Sequence, residues 1–185
     1  MRTLARAGLL GLATGARSSL GIAAEVTALR GYAERQPERA LGSLWAKGLF
    51  GVLALTEVVA DKLPATPSRL EPPGLVPRAV LAGAAAVLAA REDDVTGRAL
   101  REAGEPTSGT SGGPGDATVP GEDEAPVLPA STWPALALAL GAGVGASYLG
   151  HAWRGWAADR LGRDWPGALL EDAAAVTLAA VATRA

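Results

Sequence analysis

The sequence predicts an all-α, polytopic transmembrane bundle of about five spans packed through Gly and Ala. Three observations predict it. The 185 residues are 49% hydrophobic but only 4% aromatic, so the apolar share is Ala, Leu, Val and Gly, a mixture that suits closely packed helices better than soluble sheets. The run from Ala125 to Trp153 holds no Asp, Glu, Lys or Arg; about 20 apolar residues cross a bilayer, and a soluble helix of that length would carry a charged face. Lastly, the mild mean hydropathy of +0.19 averages two unlike materials, because residues 91–129 are acidic and rich in Gly, Pro, Ser and Thr while the remainder is strongly apolar.

The first apolar stretch, Thr3 to Leu29, carries Arg6, Arg17 and Glu25 and is interrupted in the middle by Thr14, Gly15, Ser18 and Ser19. Those residues suit a local break with a hydroxyl capping the second half. A secretory leader is the competing reading of this end, but the apolar run Ala7 to Ala13 is short and no A-x-A site follows before Arg17. The second span is Ser43 to Ala60, with Lys47 and Glu57 near its ends, and the third is Leu75 to Ala90, with Arg78 near its start. Charges at such positions can reach the interface along their own stems.

Residues 91–129 cannot bury enough apolar surface to offset the entropy of ordering. They are expected to form a disordered linker, with a short helix at 95–103 at its start, between spans one to three (1–90) and spans four and five (130–185). The fourth span runs from Trp133 to about His151, and the aromatic residues Trp153, Trp156 and Trp165 mark the membrane edge beyond it. Leu169 to Thr183 is the fifth. Glycines at helical spacing (Gly8, Gly11 and Gly15; Gly48 and Gly51; Gly141, Gly143 and Gly145) predict faces of small residues through which helix backbones approach.

Composition also excludes chemistry. With no Cys and one His, His151, the chain has no thiolate or multi-histidine metal site, and no cofactor is expected. A formal charge of -2 leaves no electrostatic footprint for nucleic acid. The partners implied are the lipid bilayer, a small ion or solute, and a second copy of the chain.

The polar residues inside apolar surroundings are the candidates for function. Arg17 near the centre of a bilayer would cost about 2.5–3.5 kcal/mol, so it should face the bundle interior and find a carboxylate or an anion, unless the span ends there and the side chain reaches the interface. A half-helix N-terminus beside an arginine is an anion site of the kind found in broken-helix transporters. Glu57 and Asp61 are four apart on one helix face and are followed by Lys62, after which Pro64, Pro67, Pro72 and Pro73 enforce an extended connection with Ser68 and Arg69. Those two carboxylates are wet, share a proton or a cation, or simply mark a helix end. Glu171 and Asp172 open the last span, where they complement the helix dipole or reach Arg17 or Arg69 across the bundle.

Three strings, TGARSS, E-x-x-x-DKLP-x-TPSRL-x-PPGL and ALLEDAAAV, resemble a family of small bacterial integral membrane proteins known only as a domain of unknown function. The resemblance implies a multi-span protein of the inner (plasma) membrane whose matched polar positions are Arg17, Ser18, Glu57, Asp61, Lys62, Pro64, Pro67, Ser68, Arg69, Glu171 and Asp172. It implies no activity. From the residues, the leading expectation is a small-solute or ion permease-like protein with its N-terminus inside. The alternative is a structural or interaction protein in which the same charges pack and cap helices. An enzyme acting on lipid phosphates comes third, since no nucleophile and base pair is recognisable.

Overall fold

The computed structural model describes residues 2–29, 38–60, 70–104, 128–163 and 165–184. Those residues form seven helices and no strand: α1 (Arg2–Ala16), α2 (Leu20–Ala28), α3 (Glu38–Leu41), α4 (Leu44–Ala60), α5 (Pro72–Gly104), α6 (Thr132–Leu161) and α7 (Trp165–Ala182). The all-α expectation holds. Three helices, over Pro72–Leu100, Thr132–Leu161 and Trp165–Ala182, are long and apolar enough to cross a membrane.

Polarity is distributed in reverse of a water-soluble protein. Large apolar side chains such as Leu49, Leu55, Val80, Leu149 and Leu170 face outward, while Arg6, Arg17, Glu25, Arg78 and Glu171 are buried. In water, exposed Leu and buried Arg would both be penalised; in lipid the outer surface is matched and the charges are sequestered against one another. The expectation that Arg78 reaches the interface from the start of its span is corrected here, because it is buried among neighbouring helices, as are Arg6 and Glu25 of the first stretch.

The first stretch is broken, as the TGARSS residues suggest, and the chain also turns back on itself. Helix α1 stops at Ala16, three residues follow in a turn, and α2 returns antiparallel, so that Gly21 lies against Thr14 and the Leu10 carbonyl. The pair is a helical hairpin with α1 at the middle of the bundle, packed on α2, α5, α6 and α7, while α2 packs on α4, α5 and α7. Non-helical backbone at membrane depth is tolerated only when protein covers it, and in this turn Arg17 and Ser19 are each 2% exposed while Ser18 is half-buried.

Small residues make the central position possible. Helices α1 and α6 run parallel, with Gly11 against Ala139 and Gly15 against Gly143 and Ala146. A Cβ on Gly11 would stand 2.8 Å from the Ala139 Cα, and one on Gly15 would stand 2.6 Å from the Ala146 Cβ, so neither position accepts a side chain without parting the helices. Ser147 donates from Oγ to the Gly15 carbonyl at 3.1 Å across this contact. The other glycines expected to pack do not do so among the described residues: Gly48, Gly51, Gly141 and Gly145 have open space where a Cβ would lie.

Helix α5 continues through the start of the acidic stretch to Gly104, so residues 91–104 are helical over a longer range than the short helix expected at 95–103. Helix α6 likewise runs past His151 to Leu161, where Gly162 at φ 63° adopts the left-handed conformation that ends a helix. Trp133 and Trp153 stand on α6 twenty residues apart, about 30 Å at 1.5 Å per residue, which matches the hydrocarbon thickness of a bilayer. Trp153 stacks on Trp156 with ring centroids 5.1 Å apart, and Arg160 lies over the Trp156 ring. This aromatic group fits a headgroup boundary, where an indole keeps its ring in apolar surroundings and its N–H in polar ones.

The hairpin changes the sidedness of the ends. Because α1 and α2 form one out-and-back excursion and α4 to α7 alternate in direction, Arg2 and Ala182 lie toward the same face of the bundle. Ala182 shares a buried apolar cluster with Ile22 and Val26 of α2. A one-sided reporter fused before Arg2 or after Arg184 is therefore expected to be active on the same side of the membrane. Five crossings with a continuous first span would put the two fusions on opposite sides.

Candidate functional site at the hairpin tip

The turn between α1 and α2 meets side chains from α4, α5 and α7. Helix α2 begins with main-chain N–H groups that have no partner within the helix and carry the positive end of its dipole. Glu57, near the end of α4, supplies the acceptors. Its Oε1 accepts from the Ser18 N–H at 2.6 Å, and its Oε2 accepts from the Ser19 N–H at 2.8 Å and from Ser19 Oγ at 2.6 Å. The expected hydroxyl cap is absent at Ser19, which makes no side-chain capping bond. A carboxylate from another helix does that work, with two oxygens where a serine has one.

Arg17 is paired with Asp172 of α7, its Nε donating to Oδ1 at 2.5 Å and its Nη2 engaging the same oxygen. Of the two arrangements open to Glu171 and Asp172 at the sequence level, Asp172 thus takes the one that reaches across the bundle to Arg17. Glu171, one residue earlier, is buried at 7% exposure and borders a groove between α6 and α7. Arg78 of α5 adds a second cation: Nη1 donates to the Gly74 carbonyl at 2.9 Å, and Nη2 stands 3.8 Å from Glu57 Oε1. Ser18 contributes its main-chain N–H to the site. Asp61, Lys62, Ser68 and Arg69 lie outside the described residues.

The tip therefore gathers Arg17, Ser18, Ser19, Glu57, Arg78 and Asp172 from four elements. Ser19 and Arg78 were not among the sequence candidates. Ser19 had a visible signal, being the second hydroxyl after the break; Arg78 had none, since an arginine less than two turns into a proline-started helix reads as a boundary charge. Two grooves, of about 440 Å³ between α2 and α7 and about 370 Å³ among α1, α6 and α7, open on the outer surface and are mostly apolar. Neither is lined by Arg17, Glu57 or Asp172.

Glu57 is the residue whose loss uncaps α2. Glu57→Ala is expected to destabilise the fold by about 1–2 kcal/mol, the upper range for a helix cap, because two N–H groups are left buried without an acceptor. Glu57→Gln should cost less, since its carbonyl oxygen still accepts one bond. Thermal unfolding of the detergent-solubilised variants separates the two.

A second charged cluster, missed at the sequence level, joins the open end of the hairpin. Arg6 donates from Nε and Nη2 to the two oxygens of Glu25 at 3.1 and 2.8 Å, from Nη2 to Glu92 at 2.5 Å, and from Nη1 to Asp93 at 3.1 Å. Opposite charges in the two halves of a broken span were the available signal, but it becomes a pairing only once the halves are known to fold back on one another. Among the described residues, no group of His, Asp or Glu side chains is arranged to hold a metal ion.

Comparison with family models, curated proteins and solved structures finds no match to the chain.

Proposed function

We propose that the protein is a small permease-like component of the cell membrane, which passes a small anion along the tip of the buried hairpin, with Arg17 as the group that meets the ion. One observation carries this reading. A guanidinium and two helix-terminal N–H donors stand together in the bundle interior and already hold two anionic groups, the carboxylates of Glu57 and Asp172. Those carboxylates belong to α4 and α7, so a mobile anion that exchanges for either one releases the tip from an outer helix. Buried ion pairs contribute little net stability compared with apolar packing, and charges inside a membrane bundle are by default functional.

In this reading α4 to α7 cross the bilayer around a re-entrant hairpin, with α4, at 17 residues, at the lower limit of spanning length. The N-terminus faces the cytoplasm in this reading.

The test is flux in proteoliposomes loaded in turn with chloride, nitrate, acetate and phosphate. Saturable flux of at least one anion, lost in Arg17→Ala at equal reconstituted protein, is the expected result. Flux no greater than that of empty liposomes for all four would refute the reading. A structural role is the second reading, favoured by the pairing of Arg17 with Asp172 and of Glu57 with the Ser18 and Ser19 N–H groups. It expects Arg17→Ala to lower the yield of folded protein, with no flux to lose.

A further inference from the structure

Helix α2 carries no cap of its own. Its first turn holds no acid, its last turn holds no base, and Ser19 makes no side-chain capping bond. Both ends are met by α4 instead. Glu57 accepts from the Ser18 and Ser19 N–H groups at the start of α2, at 2.6 and 2.8 Å, and Lys47 Nζ donates to the Leu29 carbonyl just past its end, at 2.7 Å. The signs are those a helix dipole favours, an anion at the N-terminus and a cation at the C-terminus. The spacing agrees as well. Lys47 and Glu57 are ten residues apart, and so are Ser19 and Leu29; each pair spans about 15 Å, so the two antiparallel helices meet in register at both places.

Helix α4 has little else to hold it among the described residues. It packs chiefly on α2, none of residues 44–57 is buried, and Leu49, Val52 and Leu55 face outward. Phe50 and Ala46 reach the apolar cluster that contains Ile22 and Val26 of α2, and Arg78 of α5 approaches Glu57 at 3.8 Å. Helix α2 depends on α4 in turn. Its nine residues are too few for a stable helix without packing, and terminal N–H and C=O groups inside a membrane bundle have no water to bond. The Arg6 bond to Glu25 ties α2 to α1 and leaves α4 untouched.

We infer that α4 is a strap fastened to α2 at both termini, and that the two helices open and close together as one leaf of the bundle. Lys47 and Glu57 are its fasteners. Undoing either one leaves an end of α2 unmet and loosens the whole helix, because nine residues do not hold one end in place while the other frays. The inference does not depend on the transport reading, since a purely structural bundle would carry the same strap.

Hydrogen exchange of the full-length protein in lipid nanodiscs tests it. Lys47→Met removes the fastener at the Leu29 end and should speed exchange about tenfold at residues 26–29 and also at residues 20–23, at the far end of α2, while α6 and α7 stay constant. Lys47→Arg, which keeps a donor, should stay within twofold of wild type. Glu57→Ala should loosen the same residues from the other end. The chain has no Cys, so spin labels on Leu55→Cys of α4 and Val144→Cys of α6, both exposed, report the strap directly. Their distance distribution should gain a longer component when Lys47→Met is added. Exchange raised at residues 26–29 alone, equal rises in α6 and α7, or a distance distribution unmoved by Lys47→Met would each overturn the strap.

Discussion

Gly15→Val is expected to prevent the bundle from assembling. The new Cβ would fall 2.6 Å from the Ala146 Cβ and closer still to the Gly143 carbonyl, so α1 and α6 would have to separate. That separation also breaks the Ser147 bond to the Gly15 carbonyl. Overpacking usually costs about 1–3 kcal/mol when neighbouring side chains can shift; here the obstacle is backbone, and the loss should exceed about 3 kcal/mol. The check is the yield of monodisperse protein after detergent extraction, with Gly145→Val as the control. Gly145 is on the same helix as the contact but has open space around it, so its substitution should leave the yield within twofold of wild type. Equal losses at both positions would mean that close approach of α1 to α6 is not what holds the hairpin in place.

The second large effect concerns the Arg17 and Asp172 pair. Arg17→Ala and Asp172→Ala should each destabilise the protein by about 3–5 kcal/mol, because each leaves an uncompensated charge in a buried site. Arg17→Met combined with Asp172→Leu removes both charges and fills similar volume, and should regain most of that stability. Thermal unfolding of the four proteins gives the coupling energy as a double-mutant cycle. The refilled double variant then separates the two functional readings. A protein as stable as wild type that has lost anion flux assigns the pair a role in permeation. A double variant no more stable than the single ones would mean that the pair is coupled to its neighbours through Glu57, which binds the same turn.

The tip and the open end of the hairpin differ in how readily the sequence reveals them. Arg17 stands out because an arginine amid apolar residues is costly in any arrangement, and the small and hydroxyl residues around it signal the break. Glu57 and Asp172 stand out as carboxylates at the ends of apolar runs. Their partners do not, since Glu57 on Ser18 and Ser19 spans about 40 positions and Asp172 on Arg17 spans 155, and pairings at such separations leave no local pattern. Arg6 and Glu25 were less legible still. Each sits within two turns of the end of an apolar run, where a snorkelling side chain and a buried ion pair look alike.

Local chemistry therefore determined the helical class, the apolar spans that became α5, α6 and α7, the break after Ala16 and the identity of most charges that needed a partner. Those properties depend on residue type and on periods of a few residues, so the chain displays them directly. Tertiary structure alone decided that the two halves of the first stretch form a hairpin, that Arg2 and Ala182 share a face, and which carboxylate meets which cation. The physical reason is that an excursion which turns back has the same composition as one that continues. The difference lies in whether Gly11 and Gly15 find a backbone to approach and whether a distant Glu57 covers the exposed N–H groups of the turn.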